Sequence, residues 1–239
     1  MRRIRLILVA TSIVSMALAE VKTVTCVGDS ITQHGGYPEA LQKILGADWQ
    51  VVNAGKGGAT ILEGSLYPYD QQKQYQKALK SNPDKVVIIL GVNDANPRWW
   101  ENPERKRSHQ GSSKEEFKER YIELIRELQQ LPKKPEVILA TPLPVFPHVG
   151  KEFMTQRMLA KGKTYSEEAW QQLKQERQGR QTNLQQSIIP LIKEIAASEG
   201  LPLIDLNALM QNAKEHCTDG VHYRKEAAPI YAQLISQAL

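Results

Sequence analysis

Thr23-Val24-Thr25-Cys26-Val27-Gly28-Asp29-Ser30 is an apolar run rich in β-branched residues that stops on a glycine and ends in a serine. Such a run reads as a buried strand, and the small residues after it mark the turn into the next element. Four more runs of the same kind follow at Gln50 to Asn53, Lys85 to Leu90, Glu136 to Ala140 and Leu203 to Leu206. Between them lie helical patterns: Pro38 to Leu45, Tyr69 to Leu79, and a stripe of Phe117, Tyr121, Leu124, Ile125 and Leu128 at helical spacing. A further stripe, Leu184, Ile188, Leu191, Ile192 and Ile195, is closed by the stop signals Gly200 and Pro202, and Ala227 to Leu239 forms the last helix. Strands alternating with helices predict an α/β fold with a mostly parallel five-stranded sheet covered on both faces. Binding sites in such sheets lie outside the carboxyl ends of the strands.

The chain has 239 residues, enough for one sizeable domain with its own core. Residues 1–19 read as a signal peptide: Arg2, Arg3 and Arg5 form a positive start, Leu6 to Met16 are mostly apolar, and Ala17-Leu18-Ala19 supplies a cleavage site. Residues 20–239 are then the mature domain, exported to the periplasm or outside the cell. The apolar run is short for a bilayer span, so no stable membrane insertion is expected after cleavage. Loss of the three arginines lowers the formal charge from +5 to about +2, which is no nucleic-acid footprint. The basic run Arg105-Lys106-Arg107, beside Glu101 and Glu104, reads as a solvated loop. Cys26 and Cys217 imply no disulfide framework, though one bridge is allowed where geometry permits, and neither has metal-ligand spacing. Thr141 to Arg180, with its prolines and a very polar helix-like part, reads as an insertion at the rim of the site.

Four short stretches carry the chemistry: Gly28-Asp29-Ser30, Asn53 to Gly58, Gly91-Val92-Asn93-Asp94 and Asp219-Gly220-Val221-His222. A serine hydroxyl needs an adjacent base, and the base needs a third group to fix its tautomer. The i, i+3 spacing of Asp219 and His222 lets one turn present a carboxylate to Nδ1 and leave Nε2 for Ser30. The Ser30 backbone N–H, the Gly58 backbone N–H and the Asn93 side-chain amide are candidate donors to an oxyanion. Asp94 reads as a residue that holds its loop or orients a neighbouring donor, with no chemistry assigned to it. His34, His109, His148 and His216 have no comparable partner and read as surface or loop residues, with His34 near enough to Ser30 to touch substrate. Tyr67, Tyr69, Trp99 and Trp100 are candidates for aromatic faces at the cleft rim, or else for loop anchors.

In their order and spacing these four blocks resemble the SGNH, or GDSL-like, hydrolases, over nearly the whole mature chain. Ile31 replaces the leucine usual after the serine. The resemblance implies a flavodoxin-like α/β/α sandwich, a triad of Ser30, His222 and Asp219, and an oxyanion hole from Ser30, Gly58 and Asn93, with no cofactor and no metal. It also implies an exported serine esterase acting on a small-molecule or polysaccharide ester, with members that remove O-acetyl groups from carbohydrates most alike. A lysophospholipase or thioesterase of the same superfamily, and a catalytically silent carbohydrate-binding protein, remain the alternatives. The oligomeric state is not legible.

Overall fold

The computed structural model describes residues 20–239; the signal-peptide reading falls outside them. In chain order the elements are β1 (Lys22–Gly28), α1 (Ser30–His34), α2 (Tyr37–Leu45), β2 (Trp49–Gly55), β3 (Ala59–Thr60), β4 (Tyr67–Pro68), α3 (Lys73–Lys80) and β5 (Lys85–Ile89). Then come α4 (Ser113–Gln129), β6 (Glu136–Ala140), α5 (Lys151–Leu159), α6 (Glu167–Asn183), α7 (Ile189–Ser198), β7 (Leu203–Ile204), α8 (Leu206–Leu209) and α9 (Ala228–Ser236). Five strands pair in the order β2-β1-β5-β6-β7, all parallel, while β3 and β4 form a separate short pair. This is the flavodoxin-like order, in which the chain reverses direction across the sheet between β1 and β5. The expected α/β/α sandwich is therefore present, and the sheet is wholly parallel.

Strand periodicity builds the two outer layers. Val86, Ile88 and Leu90 face one core with Tyr75 of α3, Phe117 and Ile125 of α4 and Ile192 of α7. Val87 and Ile89 face the other with Leu41 of α2 and Tyr231 and Ile235 of α9. Alternate residues of one strand thus serve opposite layers, which is why the run reads as continuously apolar. A capping box starts α4: the Glu115 N–H donates to Ser112 Oγ, and the Ser112 N–H donates to the Glu115 carboxylate. Such a cap contributes about 1 kcal/mol. No helix of the described residues is long and apolar enough to cross a membrane.

Three readings are corrected. The solvated-loop reading fails for Arg105, whose side chain is buried and makes a bidentate pair with the equally buried Glu116 at 2.9 and 2.7 Å. Glu116 also accepts from the Glu63 N–H at 2.8 Å, so the pair ties the loop before α4 to the one after β3. The helix-like part of the 141–180 stretch does not end at Arg180, because α6 runs through a π-helical turn (Leu184–Ile188) into α7. The Tyr69 to Leu79 helix splits into a short 3-10 turn, Tyr69–Gln71, and α3. Cys26 and Cys217 are both buried free thiols.

Candidate active site

Ser30 is the first residue of α1, directly after β1. Asp29, buried beneath it, caps the helix by accepting from the Ile31 N–H at 2.9 Å. Burial raises the Asp29 carboxyl to about 6 despite that hydrogen bond. The Ser30 backbone N–H stands ahead of the helical ladder and so is free of an intrahelical partner.

The loop after β2 is locked beside Ser30. The Asn53 side chain donates to Thr32 O at 3.0 Å and accepts from the Gly55 N–H at 3.0 Å, and the Gly57 N–H donates to Gln33 Oε1 at 2.6 Å. Gly58 has φ +77°, and a Cβ there would come within 2.9 Å of Leu66 and 3.0 Å of Tyr67. The left-handed backbone favours glycine, while the exposed Leu66 and Tyr67 side chains could move aside.

The loop after β5 brings Asn93 to the same place, with its Nδ2 donating to Ala59 O at 3.1 Å. Asp94 is fully buried and accepts from the Ile61 and Leu62 N–H groups at 2.8 and 2.9 Å through one oxygen. It therefore joins the two loops that carry Gly58 and Asn93, as its loop-holding reading expects. Its burial pushes the carboxyl up to about 7.

The fourth block closes over this rim from the far end of the chain. Ser30 Oγ lies 2.9 Å from His222 Nε2, and His222 Nδ1 lies 2.9 Å from Asp219 Oδ2. The other Asp219 oxygen accepts from the Val221 and His222 N–H groups at 3.0 and 2.8 Å, so the carboxylate is held by its own turn. Its hydrogen bonds and the neighbouring imidazole hold Asp219 below the usual carboxylate range against the opposing effect of burial. The hydrogen bond to Asp219 lifts His222 above its ordinary 6.5. The imidazole keeps about half of its surface open, so the pair is reachable from solvent.

Ser30, His222 and Asp219 are joined by hydrogen bonds, and the loops that bear Gly58 and Asn93 are tied to α1 and to each other beside them. Of the four candidate rim aromatics only Tyr67 stands well exposed, with the Lys56 ammonium 3.8 Å from its ring centroid. Tyr69 is buried with its hydroxyl on Ala54 O, and Trp100 packs edge-on against Phe117, so these two anchor loops. His34 is exposed beside Gln33, Glu39 and Lys225 in a groove next to the site. His109 does have a carboxylate partner, Glu119 at 2.9 Å, away from Ser30.

Sequence reading missed Arg180 of α6. Its Nη1 lies 3.4 Å from Asn93 Oδ1, and its Nε and Nη2 donate to Glu176 Oε1 at 3.0 and 2.7 Å. The sole sequence signal was an i, i+4 acid-base pair, which a solvated helix shows equally.

Comparison with known proteins agrees with the fold and the family resemblance. The model of the GDSL-like lipase/acylhydrolase family matches residues 26–227. An acetylxylan esterase of Xylanibacter ruminicola is 30% identical over 242 residues, covering 90% of this chain and 42% of that protein. The chain thus spans less than half the length of that relative. Among solved structures, a carbohydrate acetylesterase from Sinorhizobium meliloti aligns with a TM-score of 0.57 at 16% identity, over 91% of this chain and 97% of the other. An aryl esterase of M. smegmatis, solved with an inhibitor, gives 0.56 at 16% identity over the same shares. At these identities the two structures speak for the fold alone.

Proposed function

The chain belongs to the GDSL-like lipase/acylhydrolase family, whose chemistry is carboxylic-ester hydrolysis, and from that premise we propose that it is an exported serine esterase removing O-acetyl groups from carbohydrates. The observation that carries the chemistry is the unbroken hydrogen-bonded chain from Ser30 through His222 to Asp219. Ser30 Oγ attacks the ester carbon and its proton passes to His222 Nε2, while Asp219 keeps Nδ1 protonated and stabilises the imidazolium. The charge that develops on the carbonyl oxygen falls to the Ser30 and Gly58 N–H groups and the Asn93 amide, each worth roughly 3 to 4 kcal/mol in such sites. The imidazolium then protonates the departing sugar oxygen, leaving an acyl group on Ser30. Water, giving its proton to His222, releases acetate and restores the hydroxyl.

The acetyl and carbohydrate parts of this reading draw on the 30% identical acetylxylan esterase and on the exposed Tyr67 beside Gly58. Export draws on residues 1–19. The test measures acetate released from acetylated xylan and from a panel of acetylated sugars, beside p-nitrophenyl acetate and octanoate. Wild-type protein is expected to release acetate, with Ser30→Ala and His222→Ala inactive. Octanoate cleaved far faster than acetate overturns the carbohydrate reading in favour of a long-acyl esterase, and binding without turnover overturns the esterase reading itself.

A further inference from the structure

Asn93 donates usefully to an oxyanion only while its amide points the right way round, because a flip exchanges a donor for an acceptor. In this structure both ends of the amide are anchored: Nδ2 donates to Ala59 O at 3.1 Å, and Oδ1 faces Arg180 Nη1 at 3.4 Å. One N–H of the amide remains for substrate. Resting on the reading of Asn93 as an oxyanion donor, we propose that Arg180 is a positioning residue that α6 carries to the site to fix the Asn93 amide.

The support for Arg180 is built, not incidental. Glu176, Gly179, Arg180 and Asn183 share one face of α6 at i, i+3, i+4 and i+7, and that face lies on the loop after β5. Glu176 Oε1 accepts from Asn96 Nδ2 at 2.9 Å as well as from Arg180, so a single carboxylate fixes both the guanidinium and the loop. Asn183 Nδ2 donates to Ala95 O at 3.0 Å. At Gly179 a Cβ would stand 2.5 Å from Pro97, so the helix approaches as closely as it does because that residue is glycine. The Arg180 side chain is only 11% exposed.

The test is a double-mutant cycle on full-length protein with p-nitrophenyl acetate. Arg180→Met is expected to lower kcat about tenfold with KM within about twofold, less than the roughly 10²- to 10³-fold that follows loss of an oxyanion donor. In an Asn93→Ala background the same change has no further effect on kcat, the signature of action through that amide. Arg180→Lys, which serves where the Met variant does not fold, cannot span Glu176 and Asn93 with one planar fork and is expected to lower kcat in the same way, again only while Asn93 is present. Equal kcat losses in the two backgrounds, or a loss that falls on KM alone, overturn the proposal. Turnover that survives Ser30→Ala overturns instead the serine-esterase reading on which it rests.

Discussion

Asp219 and His222 each change what the other does with a proton. The imidazole has to be neutral to take the Ser30 proton, so kcat/KM should rise with pH through the His222 pKa, which the Asp219 hydrogen bond holds above 6.5. Asp219→Asn removes that support. The acid limb should then move to lower pH while kcat falls on the order of 10⁴-fold, as expected when the wrong tautomer is favoured; a pH–rate series on both proteins checks it, and a near-normal rate removes Asp219 from the relay. For folding, the partners act at opposite ends of the pH scale. The lowered Asp219 stabilises the fold above the ordinary carboxylate range, and this is lost as pH falls through its native value. The raised His222 contributes fully below 6.5, and that part is lost as pH rises through its native value. The placing of these residues was legible because each block is contiguous: only two residues separate Asp219 from His222, and Gly58 and Asn93 follow strands. Arg180 was not, since its partner Asn93 lies 87 positions away and nothing local marks the contact.

At the scale of elements, strands and amphipathic helices were read well because their burial follows a simple period, and Glu136–Ala140 agrees to the residue. The reading failed where a segment serves two masters. The π-helical turn at Leu184–Ile188 admits an extra residue per turn and rotates the helix. The polar face of α6 then meets the catalytic rim while Ile189, Ile192 and Ile195 of α7 reach the core. The sequence shows only a polar stretch followed by an apolar stripe. The buried Arg105–Glu116 pair escaped for a similar reason, since a basic run beside acids reads as solvent-facing. Arg105→Met strands the Glu116 carboxylate in the interior and is expected to cost about 3 to 5 kcal/mol of stability. Replacing both partners by apolar residues should cost clearly less. Urea unfolding of the single and double variants checks this, and an unchanged midpoint in Arg105→Met would show that the loop relaxes to hydrate Glu116.

Across the whole molecule, the sheet order puts the ends of β1 and β5 side by side, and the alternation of strands and helices sufficed to foresee that the blocks would meet on one rim. It left open whether Cys26 and Cys217 would pair, and they stay apart as free thiols. Burial lifts Cys26 to about 12 and Cys217 to about 11, so neither forms much thiolate at neutral pH. A thiol reagent such as DTNB should leave both untouched in native protein and titrate both after denaturation, in step with the loss of activity; rapid labelling of the folded chain would contradict the packing described. The proposed nucleophile and its base come from positions 192 residues apart, and Tyr231 of the last helix reaches back to donate to Gly35 O. A ribosome that has released only the first two hundred residues has therefore made a serine with no imidazole to activate it. Chains that stop before Asp219 lack both the proposed base and its orienter, and are expected to hydrolyse esters orders of magnitude more slowly than chains that carry them.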